Sequence, residues 1–137
     1  DVFRLGPMIS HGPYSEIHTC TNRETNIKRC VKIYRKDLLP NETVRTSIVS
    51  QIEIQKSLDH PNVVKIFEFF EDIKRIHVIY ELCSGGDLSS EIPEGKCLSE
   101  AKAAKVTEQL LLAASFMHEH NIMHRTLRPE CILLEEH

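Results

Sequence analysis

The apolar residues of this chain change their period several times, and those changes constrain the fold more than any other feature. From Ile9 to Ile33, short apolar runs are broken by Gly12-Pro13 and by Asn22-Arg23-Glu24. That is the pattern of strands joined by turns. From Thr43 to Leu58 the spacing predicts a helix: Val44, Ile48 and Ile52 recur at helical intervals, and His60-Pro61-Asn62 stops the run. Val63 to Phe70 and Arg75 to Leu82 are strand-like again, with Glu71-Asp72 as the turn. Ser84-Gly85-Gly86-Asp87 breaks the chain, and Asp87 or Ser89 is placed to start a short helix. Ser99 is a good N-cap for a long helix from about Glu100 to Glu119, with Leu110, Ala113, Ala114 and Met117 on one face. Strands, helix, strands and then helices make an α+β arrangement. There is no internal repeat, low-complexity segment or Gly/Ser-rich linker.

Size and charge narrow the function classes. A chain of 137 residues, 41% hydrophobic and 27% charged, suits one soluble globular domain. Such a chain buries roughly two-thirds of its surface on folding. The net charge is -3 and there is no basic stripe, so nucleic acid is not an expected partner. No apolar run is long enough to span a membrane, and no segment has the form of a signal peptide. The chain starts at Asp1 rather than Met, so further sequence is expected upstream. Cys20, Cys30, Cys83, Cys97 and Cys131 have no C-x-x-C spacing. Their odd count favours reduced thiols in an intracellular, cytoplasmic protein. His118, His120 and His124 raise the question of a metal. The helical pattern H-E-x-x-H fails because Ile122 stands where the second histidine is needed, and zinc would want a fourth ligand from elsewhere. The expected reading is a helix end followed by a loop, with no metal bound.

Five motifs in order carry a family resemblance. They are Ile9-Ser10-His11-Gly12-Pro13-Tyr14-Ser15-Glu16-Ile17, Arg29-Cys30-Val31-Lys32, Leu58-Asp59-His60-Pro61-Asn62-Val63-Val64-Lys65, Tyr80-Glu81-Leu82-Cys83-Ser84-Gly85-Gly86-Asp87-Leu88 and His124-Arg125-Thr126-Leu127-Arg128-Pro129-Glu130-Cys131. They resemble, in turn, the glycine-rich loop, the V-A-I-K strand, the helix-C exit, the hinge and the catalytic loop H-R-D-L-K-P-E-N of protein kinases. Each is weak alone; their order and separations make the case. Ser57 to Asn62 and Phe67 to Asp72 look closest to the calcium-dependent and calmodulin-dependent branch, although no EF-hand loop is present. The resemblance implies a kinase-like small lobe over residues 1–83, a twisted antiparallel sheet plus helix C. Residues 84–137 would be the hinge exit and the start of an incomplete large lobe. D-F-G, the activation loop and A-P-E are not in the chain.

The resemblance also implies roles, residue by residue. Lys32 would grip the α/β-phosphates of ATP. Gln51 stands where helix C usually offers a glutamate, and it brings no charge. Glu53 cannot replace it, being about 200° round the helix. Ser10 and Ser15 replace the outer glycines of the phosphate loop and only Gly12 remains. A Cβ held at positive φ costs roughly 1–2 kcal/mol, and Pro13 removes a backbone N–H. Thr126 replaces the aspartate base, and a threonine hydroxyl has no useful basicity near neutral pH. General-base catalysis is worth roughly 10²–10⁴-fold. Cys131 replaces an oxygen ligand of Mg²⁺, a hard ion that prefers oxygen to sulfur. Arg128 keeps the charge of the usual lysine with a different geometry. Ile9, Ile17, Cys30 and Leu133 would line the adenine pocket, with backbone contacts at Glu81 and Cys83, Asp87 on a ribose hydroxyl and Tyr80 as a bulky gatekeeper.

The expected function is therefore a catalytically impaired kinase-like protein, a pseudokinase. It would bind ATP weakly, with Mg²⁺ not held in the usual way, and act as a scaffold or regulator of an unidentified protein partner. Self-association through exposed large-lobe surface is expected. The competing readings are an active calcium-dependent-type serine/threonine kinase, and a nucleotide-free interaction module presenting the Thr43–Leu58 helix.

Overall fold

The computed structural model describes residues 2–92 and 97–135. It divides into two compact units, Asp1–Asp59 with Lys65–Leu82, and His60–Val64 with Cys83–His137. The class is α+β.

The first unit is a five-stranded antiparallel sheet with one helix. The strands are β1 (Phe3–His11), β2 (Ser15–Asn22), β3 (Lys28–Arg35), β4 (Ile66–Glu71) and β5 (Arg75–Tyr80), in the order β1-β2-β3-β5-β4. The helix α1 (Glu42–Lys56) lies between β3 and β4 in sequence. Alternation along the strands gives two faces. One buries Cys20, Val31, Ile33 and Ile79, with Phe3 packed against them. The other gathers Ile66, Ile76 and Val78 with Ile52 of α1, flanked by Ile48, Val49, Tyr34, Phe69 and Tyr80. Ile76 and Val78 are fully buried, and each such side chain contributes roughly 1.5–3 kcal/mol.

Several boundaries differ from those the sequence suggests. β1 begins at Phe3 rather than Ile9. Register shifts between Leu5 and Met8, and between Met8 and Ser10, absorb Gly6-Pro7 and spoil the two-residue alternation that would have marked the strand. α1 starts at Glu42, because the Asn41 side chain accepts the Val44 N–H at 3.0 Å and caps the first turn. It ends at Lys56, where the Ser57 hydroxyl donates to Ile54 O at 2.7 Å. β4 begins at Ile66 rather than Val63, since Val63 closes a turn by donating to His60 O at 3.0 Å. β5 ends at Tyr80. Asp72 makes the β4–β5 turn, its carboxylate accepting the N–H groups of Lys74 at 2.7 Å and Arg75 at 2.8 Å. Glu71 clamps three elements, taking Lys36 at 2.8 Å and Arg45 at 2.9 Å.

The second unit is built on α2 (Glu100–Glu119). The Ser99 hydroxyl accepts the Lys102 N–H at 3.3 Å, as its N-cap position predicts. Ala113 is buried and Leu110, Ala114 and Met117 are half-buried, the expected face, whereas Leu111 and Leu112 are exposed. His120 donates through Nδ1 to Phe116 O at 2.8 Å, and the Phe116 ring lies between those of His60 and His120. Among the described residues no group of three or more His, Cys, Asp or Glu converges on a metal position, and no helix is long and apolar enough to cross a membrane.

Candidate functional site

In the first unit, cross-strand register groups several of the expected site residues. Ile17 stands opposite Lys32, Lys32 opposite Val78, and Cys30 opposite Tyr80. Directly opposed residues share a face of an antiparallel pair, as do residues two apart on one strand. Ile17, Cys30, Lys32 and Tyr80 therefore lie on the face that carries Ile76 and Val78. Ile9 is not brought into this register. It falls in the second β1 bulge, without a partner on β2, and is largely exposed.

The β1–β2 turn corrects one expectation. The Gly12 N–H donates to Ser15 O at 2.7 Å, and Tyr14 O takes the Arg35 N–H at 2.9 Å. Neither Gly12 nor the serines at 10 and 15 have positive φ, so a Cβ costs nothing there. A Cβ on Gly12 would rest 3.5 Å from Ser15 Oγ, an ordinary contact. The hairpin closes without left-handed backbone, and the expected strain of 1–2 kcal/mol does not arise.

Lys32 pairs with no carboxylate among the described residues of its unit. Its ammonium instead lies 4.9 Å from the centre of the Tyr34 ring. Gln51 is exposed on α1 and its amide donates to Ser47 Oγ at 3.4 Å, one turn earlier. Burial pushes the Cys30 thiol up to about 11, with Cys20 adding to the rise and Lys32 opposing it. Burial also pushes the Tyr80 phenol upward, helped by Tyr34 and Cys30. Glu81 is tied to Lys65 twice: its N–H donates to Lys65 O at 2.9 Å, and its carboxylate accepts the Lys65 N–H at 3.2 Å.

In the second unit, a short antiparallel pairing joins the segments that carry Asp87 and Leu133. Gly85 N–H donates to Leu134 O, Leu134 N–H to Gly86 O, and Leu88 N–H to Ile132 O, each at 2.8 Å. This places Asp87 directly opposite Leu133, while Cys83 is half-buried just upstream. Both positions favour glycine. Gly86 has φ +74°, and a Cβ on Gly85 would lie 2.8 Å from Leu134 O. Among the described residues no helix starts at Asp87 or Ser89. The Asp87 carboxylate instead accepts the Ser89 hydroxyl and the Ser90 N–H, closing a turn. Those two bonds, Ser89's first, hold its pKa below the usual carboxylate range.

The loop after α2 is exposed from Met123 to Cys131. Thr126 N–H donates to His124 Nδ1 at 3.4 Å, and no carboxylate hydrogen-bonds the Thr126 hydroxyl among the described residues. Arg125 has φ +66°, a conformation costing roughly 1–2 kcal/mol for a residue with a Cβ. Arg128 Nε lies 3.7 Å from Glu130 Oε2. Pro129–Cys131 form one 3₁₀ turn, with Cys131 N–H donating to Arg128 O at 2.9 Å. Sequence reasoning did not single out Tyr34, which was available as the same-face neighbour of Lys32 two residues on. His124 and Arg125 match the catalytic-loop motif, where the resemblance implies they pack the loop; the left-handed φ of Arg125 is the feature nothing local marks.

Comparison with known proteins fits this arrangement. Residues 3–137 match the protein kinase domain family. The chain is 34% identical over 128 residues to Calcium-dependent protein kinase 4 of Plasmodium berghei (strain Anka), covering 93% of this chain and 24% of that protein. It is 35% identical over 134 residues to Calcium-dependent protein kinase 5 of Plasmodium falciparum (isolate 3D7), covering 97% of this chain and 22% of that protein. It is 34% identical over 133 residues to a probable myosin light chain kinase of Dictyostelium discoideum, covering 97% and 41% respectively.

Proposed function

Because the chain belongs to the protein kinase family, we propose that it is a kinase-like, nucleotide-binding chain impaired in phosphoryl transfer. Residues 1–83 act as the small lobe and residues 84–137 as the hinge exit and the beginning of the large lobe. The observation that carries the reading is Thr126, which stands at the aspartate position of the catalytic loop, with no carboxylate bonded to its hydroxyl among the described residues. A threonine there forfeits most of a roughly 10²–10⁴-fold base contribution. Cys131 offers sulfur where Mg²⁺ wants oxygen, and Lys32 has no acidic partner among the described residues of its unit. What supports retained nucleotide binding is the shared sheet face of Ile17, Cys30, Lys32 and Tyr80, and the pairing of Asp87 with Leu133.

In this reading ATP binds weakly with little dependence on Mg²⁺, and the protein works inside the cell as a scaffold or regulator of a protein partner. Leu111, Leu112, Met123 and Leu127, all more than half exposed, offer a surface for self-association. Nucleic acid and membrane are not partners. The test is radiolabelled phosphate transfer at high protein concentration, with Lys32→Ala alongside. The expected result is no transfer above that variant. Transfer by the parent that disappears in Lys32→Ala refutes impairment. A thermal-shift titration separates a binder from a nucleotide-free interaction module: ATP in EDTA should raise the melting temperature.

The names of the relatives favour a second reading, an active calcium-dependent-type serine/threonine kinase. The chain spans between 22% and 41% of the length of these relatives, and the whole protein's activity and substrates are proposals on that basis. The same transfer assay decides between the two.

A further inference from the structure

We propose that the Tyr34 ring is the positioning partner of Lys32, standing in for an acidic residue, and that it leaves the lysine's charge uncompensated for the phosphates of a metal-free nucleotide. The proposal rests on the nucleotide-binding reading above and deepens it.

Lys32 and Tyr34 are two residues apart on β3 and so share a face. The ammonium is 4.9 Å from the ring centre, within the roughly 6 Å over which a ring face attracts a cation. The ring itself is anchored. It packs against the cluster of Ile52, Ile66, Ile76 and Val78, and stands opposite Ile76 in the register. A flexible lysine is thus laid against a surface fixed by the core. The polar side chains of α1 and β4 nearest in role are engaged or exposed. Gln51 bonds Ser47, Glu53 is exposed on α1, and Glu71 is taken by Lys36 and Arg45.

The substitution of a ring for a carboxylate changes the electrostatics. An ion pair brings a compensating negative charge to the lysine, and an incoming phosphate meets a neutral pair. A ring attracts through its quadrupole and adds no net charge. It engages one side of the ammonium, and donors on the other side remain available. That full positive charge is what Lys32 offers a polyphosphate.

The experiment has two arms. The protein is labelled with ¹³C-lysine, and the Lys32 ε-methylene signal is assigned by its loss in Lys32→Arg. The signal is expected upfield of the other lysines in the parent and in Tyr34→Phe, and at their position in Tyr34→Leu. ATP is then titrated by calorimetry in EDTA. Tyr34→Phe should bind like the parent, and Tyr34→Leu about threefold to tenfold more weakly. Replacing Tyr34 by pentafluorophenylalanine keeps the shape and reverses the ring's face charge. It should weaken binding like Tyr34→Leu, and it carries the test if Tyr34→Leu does not fold. Equal affinity of the parent and the fluorinated variant overturns the proposal, as does a Lys32 signal indifferent to the ring. An upfield Lys32 signal with no ATP binding by any form overturns the nucleotide reading and the positioning role together. An ordinary Lys32 signal with ATP binding intact overturns the ring's role alone.

Discussion

Gly85→Ala should loosen the pairing that sets Asp87 against Leu133. The added methyl would start 2.8 Å from Leu134 O and 3.0 Å from Leu134 Cβ. Non-bonded carbon contacts settle near 3.5–4.0 Å, so the two segments must part by roughly 0.5 Å or more. The bonds from Gly85 N to Leu134 O and from Leu134 N to Gly86 O, both 2.8 Å, would then stretch beyond the normal range. At about 1 kcal/mol net for each, the local cost is roughly 1–2 kcal/mol. That corresponds to about 5–30-fold faster opening. Amide hydrogen exchange followed by NMR reads this at Leu88 and Leu134. Gly12→Ala is the control for these amides, because its new methyl would lie 3.5 Å from Ser15 Oγ without strain. Unchanged exchange at Leu134 in Gly85→Ala would refute the close approach and the argument built on it.

Three further outcomes are expected. Asn41→Ala removes the α1 cap and should lower stability by about 1 kcal/mol in urea unfolding, whereas Asn41→Ser should keep most of it. Hydrogen bonds from Lys36 and then Arg45 hold the Glu71 carboxyl below its ordinary value. Its stabilising contribution is therefore complete above about pH 4.3 and is lost as pH falls through the lower folded-state value. Glu71→Gln should melt below the parent at pH 7, and the gap should close on acidification below about pH 4; a constant gap would show that the charge is not responsible. Iodoacetamide at pH 7.5 should modify the exposed Cys97 and Cys131 well before Cys30, whose thiol is half-buried and pushed up to about 11. Mass spectrometry of tryptic peptides gives the order, and early labelling of Cys30 would contradict its burial.

The α+β class and the long helix after Ser99 were legible because periodicity and capping are local signals. The start of β1 was not, since bulges around Gly6-Pro7 erase the alternation that reveals a strand. In the sequence, Asp87 or Ser89 reads as a helix start, because an aspartate followed by serines serves a turn and a helix cap alike. Which one forms depends on the Gly85–Leu134 pairing, far away in sequence. At the candidate site, the motifs that resemble a kinase's pointed to Lys32 and to Gln51 at the position of the usual acid. They did not reveal that Tyr34 takes the ammonium, because the ring's position is set by packing against β5 and α1. The relaxed backbone at Gly12 was hidden for a similar reason: a motif suggests φ values that only the closed hairpin decides.

The bulged outer strand has a further consequence. β1 pairs with β2 on one side only, and its two register slips and Pro7 interrupt the row of N–H and C=O groups on the other. An extended segment from another molecule would find no unbroken ladder to join. That border of the sheet is thereby sealed against growth into fibrils, even though Leu5, Met8 and Ile9 leave greasy side chains along it.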